Sequence, residues 1–261
     1  MLKPLIKWSG GKGNEIKNFF HHLPTNFDLY IEPFVGGGAL YFNLEFSGEN
    51  VIADVHEELV NFYAQISLGN TTYIHNIVRT FELTEEAYYF VRDKFVSDNK
   101  ISQAARFYYL RKTAYRGMLR YNSKGGFNIP WGRYKSVKFS DILNPRYTEL
   151  LQRTGVRLAS FDKIFEEFND NKFFMFLDPP YDSEFTDYGY CSFGREEQEK
   201  LAECFKSTKT QCLMVIGETD FIRDLYKDYI VDSYHKKYQF KLHSGRIDDK
   251  IDNTHLIIRN Y

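Results

Sequence analysis

Three stretches of the sequence predict an α/β protein built on a parallel sheet. One apolar run ends in Asp-Pro-Pro-Tyr, a second ends in three glycines, and a strand and helix alternation is interrupted by a helical, basic insertion. The first run is FFMFL, residues 173–177. Five consecutive large apolar residues are too few for an ordinary helix and suit a strand covered on both faces. Asp178 then stands at the strand's carboxyl end, the edge where open α/β sheets bind ligands. Pro179 and Pro180 donate no backbone hydrogen bond and stiffen the turn, which is expected to leave main-chain carbonyls pointing outward. Tyr181 adds a ring. Acceptors beside a stacking face suit a planar base with an exocyclic amine, adenine or cytosine. An ordinary strand end with a solvated carboxylate fits Asp-Pro-Pro alone equally well.

In chain order, KWSGGK (7–12) precedes a helical stretch at 14–20, so backbone amides and a lysine could meet an anion at a helix start. A phosphate loop is excluded, because GxxxxGK[ST] needs glycine at 6 and Ser or Thr at 13, where the chain has Ile6 and Gly13. The second buried strand, DLYIEPF (28–34), runs into Gly36, Gly37 and Gly38, with a helix from about Ala39. Glycines there permit a tight turn and a close approach to a ligand. The dinucleotide fingerprint would require glycine at 41, where Tyr41 stands. The run 51–53 ends in Asp54, a strand-tip carboxylate able to accept two ribose hydroxyls. Together, glycine turn and acid point to an adenosine-containing ligand without a pyrophosphate.

From 57 to 95 apolar residues recur at helical spacing: Leu59, Phe62, Tyr63, Ile66, then Ile74, Ile77, Val78, Phe81, then Tyr88, Val91, Phe95. This stripe is expected to be core. A further helix at 104–113 is followed by AYRGMLRYNSKGGFNIPWGRYK, which reads as loop and hairpin. Asn144 before Pro145 marks a helix start, continuing to 152. The alternation resumes with a strand at 156–159, the 173–177 strand, a helix at 196–205, a strand at 212–216 and a helix at 221–226. Stretches 234–242 and 254–259 would form a terminal antiparallel pair, joined by a polar loop with Gly245, Asp248 and Asp249.

Composition narrows the class. The chain is 43% hydrophobic, enough for one or two cores. No run approaches the roughly 20 apolar residues of a membrane span, and the start lacks a signal-peptide core, so a cytoplasmic protein is expected. Cys191, Cys204 and Cys212 have neither metal nor disulfide spacing and are read as reduced thiols. The seven histidines (21, 22, 56, 75, 235, 243, 255) show no ligand spacing, so no metal is expected. Net charge is −1, but residues 99–138 carry ten basic side chains and no acidic one, leaving −11 on the rest. A basic island in an acidic protein is the footprint of phosphate contact.

KWSGGK, EPFVGGGAL, the RGMLRYNSKGGFNIPWGRYK segment and DPPY, in that order, resemble the Dam-type, D12 class DNA adenine-N6 methyltransferases. The resemblance implies a Rossmann-like seven-stranded methyltransferase sheet with a terminal antiparallel hairpin and an inserted, mostly helical target-recognition domain. It makes 1–56 and 137–261 the catalytic domain and 57–136 the recognition domain. It implies S-adenosylmethionine, held by Trp8, Lys12, Glu32, Gly36, Gly38, Asp54, Phe161 and Asp178, with Asp178, Pro179 and Tyr181 catalytic. Double-stranded DNA would meet Lys7, Tyr115, Arg116, Met118, Arg120 and Pro130, with GATC as the site. The setting would be restriction or modification, in the cytoplasm, or a host's for a viral source. Arg116 stands where several relatives have Asn, and Ser160 where the pattern can have Asp. An N4-cytosine methyltransferase, a protein-glutamine methyltransferase and a catalytically inactive DNA-binding relative are the other readings of the same features.

Overall fold

A computed structural model describes residues 1–122, 125–182, 193–237 and 252–261. Helix α1 (Ile16–Phe19) passes into a 3-10 turn at Phe20–His22. Then come β1 (Leu29–Glu32), α2 (Ala39–Leu44) and β2 (Glu49–Asp54). Four helices follow in a row, α3 (Glu57–Ser67), α4 (Thr71–Val78), α5 (Glu85–Asp93) and α6 (Lys100–Thr113). The chain continues with α7 (Pro145–Gln152), β3 (Thr154–Leu158), α8 (Phe161–Glu167), β4 (Phe173–Leu177) and α9 (Arg195–Ser207). It ends with β5 (Gln211–Gly217), α10 (Asp220–Tyr226), β6 (Ile230–Lys237) and β7 (Asp252–Arg259).

The seven strands form one sheet in the order β3-β2-β1-β4-β5-β7-β6. The first five are parallel; β7 runs antiparallel to both β5 and β6. Leu29 of β1 is level with Glu49 on one side and Phe173 on the other. The chain steps outward from β1 through β2 to β3 and then returns to β4 at β1's free edge. That reversal opens a crevice at the carboxyl ends of β1 and β4, the switch point where such sheets bind ligands.

Both central strands are buried along almost their whole length because helices cover both faces. Tyr30, Ile52, Phe174, Phe176, Leu213 and Val215 face Leu59 of α3, Phe107 of α6 and Leu150 of α7. The alternate residues, Ile31, Val51, Met175, Leu177 and Met214, face Phe161, Ile164, Leu201 and Ile222. Each such side chain contributes about 1.5–3 kcal/mol by leaving water.

The helical stripe is core as its spacing predicts: Leu59, Phe62, Tyr63, Ile66, Ile74, Val78, Tyr88 and Val91 are buried. Helix α3 packs on β2, β3 and α7 as well as on α6. Helix α6 starts on a capping box formed by Asn99 and Ser102, and α7 on the Asn144 side chain with Pro145 in the first turn. After α6 the Ala114–Trp131 and Tyr121–Phe127 bridges close the expected hairpin, which α5 anchors through a Tyr88 hydroxyl bond to the Ile129 carbonyl (2.7 Å).

The boundaries shift at the sheet edges. Strand β6 begins at Ile230 and not at 234, because its exposed Val231, Asp232 and Ser233 offer no buried run to mark the start. Edge strand β3 runs 154–158, not 156–159, because its first residues, Thr154 and Gly155, read as a turn in the sequence, and α1 is shorter than 14–20. The expected end of the 234–242 strand, the loop with Gly245, Asp248 and Asp249, His243, Lys124 and Cys191 lie outside the described residues. Among the described residues no helix is long and apolar enough to cross a membrane.

Candidate active site

A cleft of about 460 Å³ opens at the carboxyl ends of β1, β2 and β4. Trp8, Lys12, Glu32, Gly36, Asp54, Phe161, Asp178, Pro179 and Tyr181 all line it. Asp178 is the first residue beyond β4 and lines the cleft, its side chain 21% exposed. Lys12 Nζ donates to its Oδ1 at 2.5 Å and to the Gly10 carbonyl at 3.2 Å. Burial raises the Asp178 pKa, and the Lys12 charge and hydrogen bond restrain the rise.

The outward-pointing carbonyls expected of the proline turn are only partly present. Pro180's carbonyl accepts a 2.7 Å bond from Nε2 of the buried Gln198, one turn into α9. Tyr181 meets the ring of His255 edge-on, centroids 5.2 Å apart at 88°, and Lys12 Nζ lies 4.9 Å from its centre. Gly217 leaves room for that ring, since a Cβ there would stand 2.9 Å from it.

Behind Tyr181 lies a buried polar cluster that no sequence spacing signalled. His255 Nδ1 is 2.8 Å from Glu15 Oε2, and Glu15 also accepts from the Tyr234 hydroxyl (2.8 Å) and Lys236 Nζ (2.5 Å). Burial alone would raise the Glu15 pKa; the His255 and Lys236 hydrogen bonds, with the Lys12 charge and Tyr234, outweigh it and hold the carboxyl at about 2.

On the other wall the glycine turn is locked to Asp54. The Gly36 amide donates to Asp54 Oδ2 and the His56 amide to Oδ1, both at 3.0 Å. Gly36 has φ +45, and a Cβ there would sit 2.6 Å from the Trp8 ring, so only glycine fits. Gly38, with φ +68, caps α2 between Gly37 and Ala39, which both line the cleft. Burial pushes Asp54 up to about 6 despite the two amide bonds. Glu32, buried and bonded by the Tyr30 hydroxyl at 2.7 Å, is pushed to about 8 by burial, against that bond and with Asp178's charge adding to the rise. Phe34 stacks on Phe161 (5.6 Å) with Phe193 edge-on (5.8 Å), forming an apolar slot beside these acids. Each Asp54 oxygen keeps a second lone pair for a hydroxyl. The cleft can therefore take a flat heterocycle, neighbouring hydroxyls and a cationic group.

Residues 8–242 match the sequence model of the D12 class N6 adenine-specific DNA methyltransferases. The chain belongs to that family. It is 52% identical over 261 residues to the Type II methyltransferase M.CviBI of Paramecium bursaria Chlorella virus NC1A, covering all of both chains. It is 31% identical to the DNA adenine methylase of Vibrio cholerae serotype O1, over 86% of this chain and 85% of that one. The Retron Ec67 DNA adenine methylase of Escherichia coli is also 31% identical, over 87% and 82%.

The adenine-specific DNA methyltransferase carries its candidate DNA residues beside the cleft. Lys7 is exposed, its Nζ 3.5 Å from the centre of the Tyr134 ring and 3.3 Å from the Lys112 carbonyl. Tyr115 and Met118 are exposed, and the Tyr115 amide donates to the carbonyl of the exposed Pro130 at 2.9 Å. Arg116 adopts φ +53, a conformation that favours glycine or Asn, with its guanidinium 5.2 Å over Tyr115. Arg120 Nε donates across the hairpin to Asn128 Oδ1 at 2.8 Å.

The basic island is less bare than the sequence count implies. Lys100 pairs with Glu57, Arg106 with Glu58, and Lys112 and Lys138 with Asp141, while Arg111 is buried against backbone carbonyls. Arg116, Arg120, Arg133 and Lys135 are exposed. The sequence also did not single out His56, whose Nδ1 accepts from the Leu59 amide at the start of α3 while Nε2 lies 2.7 Å from the hairpin's Tyr121 hydroxyl. Burial, aided by the Arg111 charge, lowers its pKa to about 4. Away from the cleft, His21, His22 and Asp232 bring ligand atoms within 4.8 Å of one another, a grouping that sequence spacing did not signal.

Proposed function

We propose that this methyltransferase moves a methyl group from S-adenosylmethionine to N6 of an adenine flipped out of double-stranded DNA, within GATC. The observation that carries the reading is the pairing, in one cleft, of the Asp178 turn with the Gly36–Asp54 lock and the Phe34–Phe161 slot. In this reading Phe161 and Phe34 hold the donor's adenine, Asp54 its ribose hydroxyls, and Glu32 with Trp8 and Lys12 the remaining wall. S-adenosylmethionine, when bound, supplies an electrophilic methyl group.

Adenine N6 is a weak nucleophile because its lone pair is delocalised into the ring. The Asp178 carboxylate and the Pro179 carbonyl accept the two N6 hydrogens, which draws the nitrogen towards tetrahedral geometry and frees the lone pair. The Pro180 carbonyl already accepts from Gln198, so Pro179 is assigned this role. Tyr181 stacks on the base, its ring packed edge-on against His255 in the space that Gly217 leaves. Burial disfavours the ionised form of Asp178, and the Lys12 charge and hydrogen bond act against that rise. The N6–carbon bond would form as the methyl–sulfur bond breaks, the neutral thioether S-adenosylhomocysteine leaving, and N6 would then release one of its two protons to solvent; positioning and charge placement carry the step.

Residues 57–136 form the recognition domain, and 1–56 with 137–261 the catalytic one. Lys7 reads the first guanine of GATC, Met118 and Arg120 the second half, with Tyr115, Arg116 and Pro130 bordering the opened base pair. A planar guanidinium suits guanine O6 and N7, and the Met118 side chain suits a thymine methyl. The setting is a restriction or modification system acting in the cytoplasm. Incubating purified protein with donor and a random DNA library, then mapping methylated bases, tests the reading. N6-methyladenine centred on GATC is expected; N4-methylcytosine or another core sequence would overturn it.

A further inference from the structure

We infer that Arg111 is a positioning residue that sets the spacing between the two halves of the base-reading surface, and so fixes the length of the recognition site without touching DNA. The inference rests on the proposed roles of Lys7, Met118 and Arg120.

Arg111 lies in the last turn of α6 and is 1% exposed. Its NH1 donates to the Met118 carbonyl and its NH2 to the Gly117 carbonyl, both at 2.7 Å; NH2 also donates to the carbonyl of Lys7, 104 residues away in the chain. One guanidinium thus joins the N-terminal segment to the hairpin segment at the residues that carry two of the three proposed readers. The segments also touch directly. Gly117 has φ +67, and a Cβ there would stand 2.4 Å from Lys7 Cβ. The same guanidinium lies 5.2 Å from the Trp8 ring centre, so the joint abuts the cleft wall.

A guanidinium is a rigid planar fork whose donors diverge at fixed angles, whereas an ammonium is a point on a flexible stem. Three carbonyls from two segments can be held in one plane by the first and not by the second. Base-edge hydrogen bonds tolerate only a few tenths of an ångström, so readers on opposite sides of the target adenine can be satisfied together only if their separation is set in advance. Arg111 is placed to set it.

The test compares positional preference across a library randomised at each GATC base pair, for wild type and the Lys7→Ala, Arg120→Ala and Arg111→Lys variants, each well below its own melting temperature. Lys7→Ala should relax the first base pair alone and Arg120→Ala the later half alone. Arg111→Lys should relax both ends together by about tenfold each, with donor affinity by calorimetry within about threefold. A purely structural role would slow methylation of all sequences equally and leave the positional profile intact; that result overturns the inference. If Arg111→Lys does not fold, Gly117→Ala replaces it, since its methyl would collide with the base of the Lys7 side chain and push the same two segments apart. Relaxation at both ends supports the inference and an unchanged profile overturns it. Should Lys7→Ala and Arg120→Ala both leave the profile unchanged, the assignment of the readers fails first and this inference with it.

Discussion

Lys12 Nζ lies 2.5 Å from Asp178 Oδ1 on the cleft wall, although 166 residues separate them. The pair joins the glycine-rich N-terminal loop to the end of β4. In Lys12→Met the Asp178 carboxyl loses its counter-charge while burial still favours the neutral form, so its pKa rises further. A protonated Asp178 accepts poorly from an amine. The pH profile of single-turnover methyl transfer should therefore move to higher pH in Lys12→Met, with partial recovery on the alkaline side. A profile that falls uniformly without moving would assign Lys12 to donor binding alone.

Donor affinity should depend on the protonation of Asp54. Its folded pKa of about 6 means that the carboxylate acceptor is lost as pH falls through that value. Calorimetric titration of the wild type should show donor binding weakening below about pH 6. Asp54→Ala should bind at least about tenfold more weakly at neutral pH, from the loss of charge-assisted hydrogen bonds worth about 1.5–3 kcal/mol each, and should lose the pH step. Unchanged affinity would move the hydroxyl contact elsewhere.

Glu15 should be a source of acid sensitivity. Its folded pKa of about 2 lies below the ordinary 4.5, so its contribution is present above pH 4.5 and is lost as pH falls towards 2. The difference corresponds to about 3 kcal/mol. Urea unfolding of Glu15→Gln should show lower stability at neutral pH and a flatter decline between pH 4.5 and 2 than the wild type. Equal slopes would refute this role for the Glu15–His255–Lys236 cluster.

The exposed cations divide into two kinds. Arg120→Ala should lose about 1–3 kcal/mol of discrimination at the third base pair after the initial guanine. Neutralising Lys135 or Lys138 should instead weaken binding to all sequences and lower the salt slope by about one for each charge. Lys138 should give the smaller change, because Asp141 Oδ1 already lies 3.0 Å from its ammonium. Binding isotherms over a salt series separate the two; a position-specific effect from either lysine would contradict the division.

Strands β1 and β4 were legible because double-sided burial writes an unbroken apolar run. The ends of β2 and β4 pointed to Asp54 and Asp178, whereas Glu32 was implied only by the family resemblance. Strand β6 was misplaced by a few residues because its exposed start carries polar side chains that look like loop, and β3 because it opens on Thr154 and Gly155, which read as a turn. The helical stripe from Leu59 to Val91 was legible from its period, but not that α3 would also pack on β2 and β3. At the site, Glu15, His255, Gln198 and Arg111 could not be read from spacing. Each acts through partners that lie 18 to 240 residues away or through backbone carbonyls that any residue supplies. The basic count in 99–138 was correct, yet Glu57, Glu58 and Asp141 from outside that stretch neutralise part of it.

The central claim is that Asp178 serves the amine that receives the methyl group. Methyl incorporation into DNA containing GATC, measured in a single turnover with Asp178→Ala whose fold and donor binding have been checked, tests it most directly. The account predicts transfer abolished while the chain stays folded, because Asp178 stands at a strand end and does not fill the core. Transfer within about tenfold of the wild type, less than about 1.4 kcal/mol of the barrier, would contradict it.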